Sequence, residues 1–235
     1  EGSMDNLETL YSRGVRYLGL TWNTSNEIGT SARDETERGR KGGLTEFGKQ
    51  VVTRMNELGM MIDVSHLGET AFWEVIESSS KPIIASHSCV YSLAPHYRNL
   101  TDEQIKAIAK TGGYIGINFY NKFLDRNANV SGIKSIQSKY KNGSRQFEDE
   151  CGDDLVCFNE KRYNFITENY SEGGTHVDVL IDHIDYIVKL VGIDYVGLGS
   201  DFDGSITTLN ELYDATCYPI ITKKLVERGY SEEDI

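Results

Sequence analysis

The sequence predicts an α/β chain, a (β/α)8 barrel that lacks its first βα units. Strand-like and helix-like segments alternate along most of its length, and helices between successive strands imply a parallel sheet. Five strands are recognisable in 235 residues, whereas a complete barrel takes about 250 residues. Two of the five end in histidine and a third in paired aspartates. They are Met61-Ile-Asp-Val-Ser-His66, Pro82-Ile-Ile-Ala-Ser-His87 and Tyr195-Val-Gly-Leu-Gly-Ser-Asp201-Phe-Asp203. Parallel strands converge their C-terminal ends on one face, where such folds keep their chemistry.

The elements follow in order. Residues 16–22 read as the first strand. Residues 44–58 carry apolar side chains at helical spacing and stop at Gly59. The His66 strand comes next, then a helix over 69–78, and Pro82 opens the His87 strand. Thr101-Asp-Glu-Gln104 resembles a helix N-cap and first turn, with Gly112-Gly113 ending that helix. Residues 114–120 form the next strand; 176–191 form an amphipathic helix that leads into the Asp201 strand; 218–228 form a last helix. No Gly-x-Gly-x-x-Gly turn follows a strand, which disfavours a dinucleotide fold.

The whole chain, 1–235, is expected to be one partial barrel domain, with 121–175 as a long polar insertion. That insertion breaks the βα rhythm and is rich in Asn, Ser, Lys and Gly. A lid, a subunit contact in a homodimer, and a tolerated surface insertion are all open readings of it.

Composition narrows the partners. Net charge is −12, which argues against nucleic acid and anionic membrane; spread along the chain, it reads as a solvated surface. Hydrophobic content of 39% is enough for a globular core. No run of ~18 apolar residues and no signal peptide is visible, but the chain opens at Glu1-Gly-Ser-Met4, so the missing leader says little. Among Cys89, Cys151, Cys157 and Cys217 there is no CxxC zinc pattern. Cys151 and Cys157 are either a local disulfide, which implies an oxidising compartment, or two free thiols. The compartment stays open, with a lean toward an extracytoplasmic or periplasmic location. Asn-x-Ser/Thr triplets at Asn23, Asn99, Asn129, Asn142 and Asn169 decide nothing alone.

Period-two alternation is expected to place Ile62, Val64 and His66 on one face, and Ile83, Ala85 and His87 beside them. Tyr114, Gly116, Asn118 and Tyr120, and Tyr195, Gly197, Gly199 and Asp201, would continue that face, with Gly197 and Gly199 leaving room beside Asp201. Adjacent strands lie about 5 Å apart, so His66 and His87 could bind one metal ion. A lone strand-end histidine is ordinarily structural; two on neighbouring strands point to a metal. His96, His176 and His183 lack that setting. Asp201 is a candidate ligand or proton-transfer group, since a carboxylate beside metal-activated water can take its proton and pass it to a leaving amine. Asp203 either shares that face or caps the next turn. Arg98, in a loop after His87, could pair bidentately with a substrate carboxylate, although by position alone a surface arginine is the plainer reading.

These residues resemble the membrane dipeptidase (renal dipeptidase) family of zinc peptidases. The matching stretches are Gly14-Val-Arg-Tyr-Leu-Gly-Leu-Thr21, Leu44-Thr-Glu-Phe-Gly48, Ile62-Asp-Val-Ser-His66, Ala85-Ser-His-Ser88, Tyr97-Arg-Asn99, Ile117-Asn-Phe-Tyr-Asn121 and Gly199-Ser-Asp-Phe-Asp-Gly204. The resemblance implies a (β/α)8 barrel that hydrolyses dipeptides at a site of two Zn2+ ions. It implies that His66 and His87 bind one zinc, that Asp201 handles the proton and that Arg98 helps hold the substrate carboxylate. The family's bridging glutamate stands in a Glu-Gly motif matched by Glu1-Gly2, for which a tag remnant ending in Gly-Ser-Met is the competing explanation. Trp22 stands where the family often has a substrate-facing histidine; it and Tyr120 are expected to shape the substrate pocket.

The family's His-x-Asp pair on the first strand has no counterpart here. Either the native protein is longer or this form is defective, and the chain alone is expected to be inactive and poorly stable. Two other readings stand beside a zinc dipeptidase: an amidohydrolase acting on lactams or N-acyl amino acids, and an inactive barrel that binds a ligand or partner.

Overall fold

The computed structural model describes residues 2–128, 132, 135, 138–139, 146–169, 175–204, 206–212 and 214–235. Among them, five strands form one parallel sheet whose spatial order follows the chain. They are β1 (Tyr17–Gly19), β2 (Met61–Asp63), β3 (Ile83–Ser88), β4 (Ile115–Ile117) and β5 (Val196–Leu198). Each neighbouring pair is parallel. Helices intervene between them: α1 (Met4–Ser12) precedes β1, and α2 (Ala32–Arg38) and α3 (Glu46–Leu58) lead to β2. α4 (Glu69–Ser78) and α5 (Asp102–Lys110) lead to β3 and β4. Beyond β4 come α6 (Asn121–Leu124), α7 (Leu155–Asn169), α8 (Val177–Val191) and, after β5, α9 (Tyr218–Glu227). No helix among the described residues is long and apolar enough to cross a membrane.

Local chemistry explains the helix ends. Thr101 and Gln104 form a reciprocal capping box at the start of α5, as the sequence pattern predicts. The Thr45 hydroxyl accepts from Gly48 N at the start of α3, and Gly59, at φ 72°, ends that helix in a left-handed turn that costs glycine little.

The chain divides into two compact units. The first runs to Asn118 and includes Ile184–Gly199, so it holds the entire sheet. Its core is Leu20, Val52, Met55, Ile62, Phe72, Ile83, Ile105, Ile108, Ile115 and Ile117, all essentially inaccessible. The second unit comprises Phe119–His183 and Ser200–Ile235. There Phe119 meets Phe202 edge-on at 5.5 Å, and Leu180, Ile181, Leu212 and Ile221 are buried.

The strand register corrects the expected alternation. Leu18, Ile62 and Ile83 align across β1–β3, and Ala85, Ile115 and Val196 align across β3–β5. Asp63, Gly116 and Gly197 therefore belong to the opposite face. Ile62 and Ile83 do not share a face with Gly116 and Gly197. The strands are also shorter than expected: β2 stops at Asp63, three residues before His66, so alternation does not extend to that histidine.

Within the segment read as a polar insertion, α6 and α7 are helical, and Cys151 and Cys157 are joined as a disulfide. The sequence lacked strong apolar spacing there. Asn121 supplies a different anchor: wholly buried, its side-chain amide donates to the carbonyls of Thr207 and Thr208.

His183 is wholly buried in the second unit, where its Nε2–H donates to the Leu124 carbonyl at 2.9 Å. Burial holds its pKa below the ordinary histidine value. The unfolded chain takes up a proton near pH 6.5 that the folded imidazole refuses. Stability from this group is therefore complete above about pH 6.5 and is lost as pH falls below it. His183→Gln keeps a donor for Leu124, and is expected to flatten the acid limb of the stability–pH curve read by thermal unfolding. An unchanged limb would show that His183 does not contribute to it.

Candidate active site

β3 does not run straight. It pairs with β4 at Ala85–Ile115 and again at Ser88–Ile117, three steps on one strand against two on the other. The extra residue is a β-bulge, and such bulges re-aim a side chain. Here it turns Ser86 and His87 off the regular pattern, so that His87 does not continue the Ile83–Ala85 row.

A bulge leaves amide groups without ladder partners, and buried amides need other acceptors. β2 provides them. Ser86 N donates to Asp63 Oδ1 at 2.9 Å, and His87 N donates to Ser65 Oγ at 3.1 Å. Asp63 Oδ1 also accepts from Ser65 N at 3.0 Å, and Asp63 Oδ2 accepts from Ser86 Oγ at 2.5 Å. Asp63 is 4% exposed, so these bonds stand in for water around a buried carboxylate. The bulged Ser86 carbonyl lies over β4 and β5. A Cβ on Gly116 or Gly199 would collide with it. Gly116 and Gly199 therefore make room for the bulge.

His66 reaches the same place by another route. It lies past the end of β2 in the left-handed region, at φ 69°. Among the described residues only Asp201, at φ 60°, shares that conformation without being glycine. Such a backbone costs roughly 1–2 kcal/mol and persists where neighbours enforce it. The His66 carbonyl is held by Ala32 N at 2.8 Å and Thr21 Oγ1 at 3.1 Å.

The two rings meet with Nε2 atoms 2.9 Å apart. Each second nitrogen is engaged: His66 Nδ1 with Asn23 Oδ1 at 3.1 Å, and His87 Nδ1 with Ser86 Oγ at 2.7 Å. Burial, then the Arg98 charge and then His87 push the His66 pKa down to about 2. His66 is thus a neutral imidazole. Arg98 is not a surface residue, as its position in the sequence suggests: it is 5% exposed, and its guanidinium donates to the His87 carbonyl at 3.4 Å. The Trp22 ring lies 6.4 Å from His66 and is largely exposed. A cleft of about 740 Å3 adjoins these residues in sequence, with Leu67, His96, Tyr97 and Asn99 in its wall.

Trp22, His66, His87 and Arg98 thus lie in the first unit. Asp201 and Tyr120 belong to the second. Asp201 opens a tight turn in which Gly204 N donates to its carbonyl at 2.9 Å, and a Cβ on Gly204 would strike the Asp201 carboxylate. Tyr120 packs edge-on against Phe123 at 4.9 Å, and burial raises its pKa. Glu1 lies outside the described residues. Among the described residues no group of three or more His, Cys, Asp and Glu side chains could hold a metal ion together.

Sequence reasoning missed Asn23, Asp63, Ser65 and Ser86. Asp63 carried a signal: a carboxylate inside an apolar parallel strand is buried on both sides and needs partners.

The chain matches the membrane dipeptidase family, peptidase family M19, over residues 1–235. It belongs to that family. It is 32% identical over 234 residues to an uncharacterized protein in the pqqA 5′ region of Klebsiella pneumoniae, covering 99% of this chain and 71% of that one. It is 31% identical over 222 residues to an uncharacterized dipeptidase of Schizosaccharomyces pombe, covering 94% of this chain but 43% of the relative. Among solved structures it is similar to a metallopeptidase of Rhodobacter sphaeroides liganded with a phosphinate mimic of L-Ala-D-Ala. The TM-score is 0.73 and the identity 27%, over 98% of this chain and 54% of that one. The probable dipeptidase PvdM of Pseudomonas aeruginosa gives a TM-score of 0.75 at 27% identity, over 99% of this chain and 62% of that one. The chain thus spans little more than half the length of these solved structures.

The glycine requirement is testable. Gly199→Ala forces a methyl group against the Ser86 carbonyl, an overpacking that typically costs about 1–3 kcal/mol. Denaturant unfolding should show that loss, whereas Gly39→Ala, where a Cβ meets open space, should lose only what its left-handed turn demands. Equal losses would remove the bulge contact as the reason for glycine.

Proposed function

We propose that the protein is a zinc-dependent dipeptidase, a (β/α)8 barrel enzyme that hydrolyses the peptide bond of dipeptides. The observation that carries this reading is the pair of imidazole Nε2 atoms 2.9 Å apart beside a buried arginine, in a chain of the membrane dipeptidase family. The donor set suits a metal ion. Ring nitrogens are borderline-soft ligands that zinc accepts, and their other nitrogens are held by polar neighbours. His66 stays neutral, the protonation state that ligation requires.

His66 and His87 would hold one zinc ion, and two ions are expected in the full site, with Glu1 as a further ligand. Bound zinc supplies Lewis-acid polarisation of the scissile carbonyl and a nucleophilic water at neutral pH. The remaining work falls to side chains. Arg98 pairs with the free carboxylate of the dipeptide and fixes its register. Asp201 accepts the proton of the attacking water and returns it to the leaving amine. Trp22 and Tyr120 bound the substrate side chains. The phosphinate dipeptide mimic carried by the Rhodobacter sphaeroides neighbour supports a dipeptide as the substrate class. The Cys151–Cys157 disulfide supports an extracytoplasmic or periplasmic location.

Replacing His66 and His87 together by Ala is expected to remove about one zinc equivalent per chain, read by elemental analysis. Unchanged zinc content would sink the ligand assignment. Arg98→Lys keeps the charge but loses the planar fork, so the Michaelis constant for dipeptides should rise. Dipeptide amides should be poor substrates of the unsubstituted protein and insensitive to the change. Equal cleavage of free and amidated dipeptides would exclude carboxylate recognition.

A further inference from the structure

We propose that Asp63 and Ser86 are positioning residues that set which nitrogen of His87 carries the proton. The inference rests on the reading of His87 as a metal ligand. It begins with the direction of one hydroxyl. Asp63 at 4% exposure is flanked by amide donors: Ser65 N and Ser86 N both bond its Oδ1. Its Oδ2 lies 2.5 Å from Ser86 Oγ. An ionised carboxylate only accepts, so the Ser86 hydroxyl must donate its one proton to Asp63. Ser86 Oγ then has only lone pairs for its other neighbours, Ser65 Oγ at 3.5 Å and His87 Nδ1 at 2.7 Å. His87 must therefore donate from Nδ1, and its Nε2 keeps the lone pair.

That Nε2 is the atom that faces His66 Nε2. On the other side Asn23 Oδ1 is an acceptor, so His66 also donates from Nδ1 and presents a lone pair at Nε2. Two lone pairs facing each other repel. The arrangement is kept for a cation held by both nitrogens. The same carboxylate that satisfies the Ser86 amide in the bulge thus also orders the chain Asp63, Ser86, His87. Outer hydrogen bonds of this kind typically change metal affinity 10–100-fold.

Asp63→Asn makes the prediction sharp. The amide oxygen can still accept the Ser65 and Ser86 amides, but the amide nitrogen now donates to Ser86 Oγ. The hydroxyl proton then turns toward His87 Nδ1, which forces the proton of His87 onto Nε2 and blocks ligation. Ser86→Ala removes the link, and Ser86→Thr retains the hydroxyl. In metal-free protein, 15N NMR of the ring should show His87 protonated at Nδ1 in the unsubstituted protein and in Ser86→Thr, and at Nε2 in Asp63→Asn. Zinc affinity, from competition with a chromogenic chelator, should fall about 10-fold or more in Ser86→Ala and in Asp63→Asn, and stay near the unsubstituted value in Ser86→Thr. An Nε2-protonated His87 in the unsubstituted protein would overturn the proposal. So would full zinc affinity in both Ser86→Ala and Asp63→Asn while His87→Ala loses zinc. His87→Ala that binds zinc normally would instead refute the metal assignment, and leave the tautomer reading to the NMR result.

Discussion

The buried carboxylate of Asp63 is the constraint on which the site depends. It closes the end of β2 by accepting from Ser65 N, and it captures β3 by accepting from Ser86 N and Ser86 Oγ. A single charged group in an apolar strand costs several kcal/mol when unpaired, so its donors cannot be withdrawn separately. Each donor also fixes a backbone position. Ser65 is one residue from His66, and Ser86 is one residue from His87. The carboxylate thus joins the two histidine-bearing segments through the strands that carry them, and needs no contact with either ring.

The bulge and the glycines follow from the same arrangement. Capturing the Ser86 amide turns its carbonyl toward β4 and β5, and only residues without a Cβ tolerate it there. Gly116 and Gly199 supply that space from two strands far apart in the chain. Arg98 donates to the His87 carbonyl on the outgoing side of the bulge. The segment from Ala85 to Ser88 is therefore held at the Ser86 and His87 amides and at the His87 carbonyl. Rigid backbone of this kind is what a catalytic constellation requires if distances are to hold within a fraction of an ångström.

The order of elements was legible because apolar spacing and caps are local properties. α3, α5, α8 and α9 fall where periodicity, the Thr101–Gln104 box and Gly59 place them. The histidines were legible as a pair because they close neighbouring strand-like stretches of sequence. Their faces were not. A bulge changes side-chain direction by one residue, and nothing in the alternation Ile-Ile-Ala-Ser-His announces it. His66 escaped alternation because a left-handed residue follows a strand end for tertiary reasons, here the pull of Ala32 N and Thr21 Oγ1 on its carbonyl. Arg98 was misread for the same reason: burial of a loop arginine depends on what folds over it, and hydropathy ranks it among exposed residues.

Electrostatics set the last requirement of the site. Burial and, after it, the Arg98 cation keep the His66 imidazole neutral. A divalent ion placed on His66 and His87 would add its charge to that of the Arg98 cation. Neutral nitrogen donors transfer electron density but cancel no net charge, and a low local dielectric magnifies the repulsion between cation and guanidinium. Charge balance must come from carboxylates. In the proposed enzyme the protein supplies Glu1 and Asp201, and the dipeptide supplies its own terminus to Arg98. In the proposed enzyme the buried arginine would then have two functions with one physical basis. It adds to burial in keeping His66 unprotonated, and in the proposed enzyme it would make an anionic substrate part of the neutralising shell.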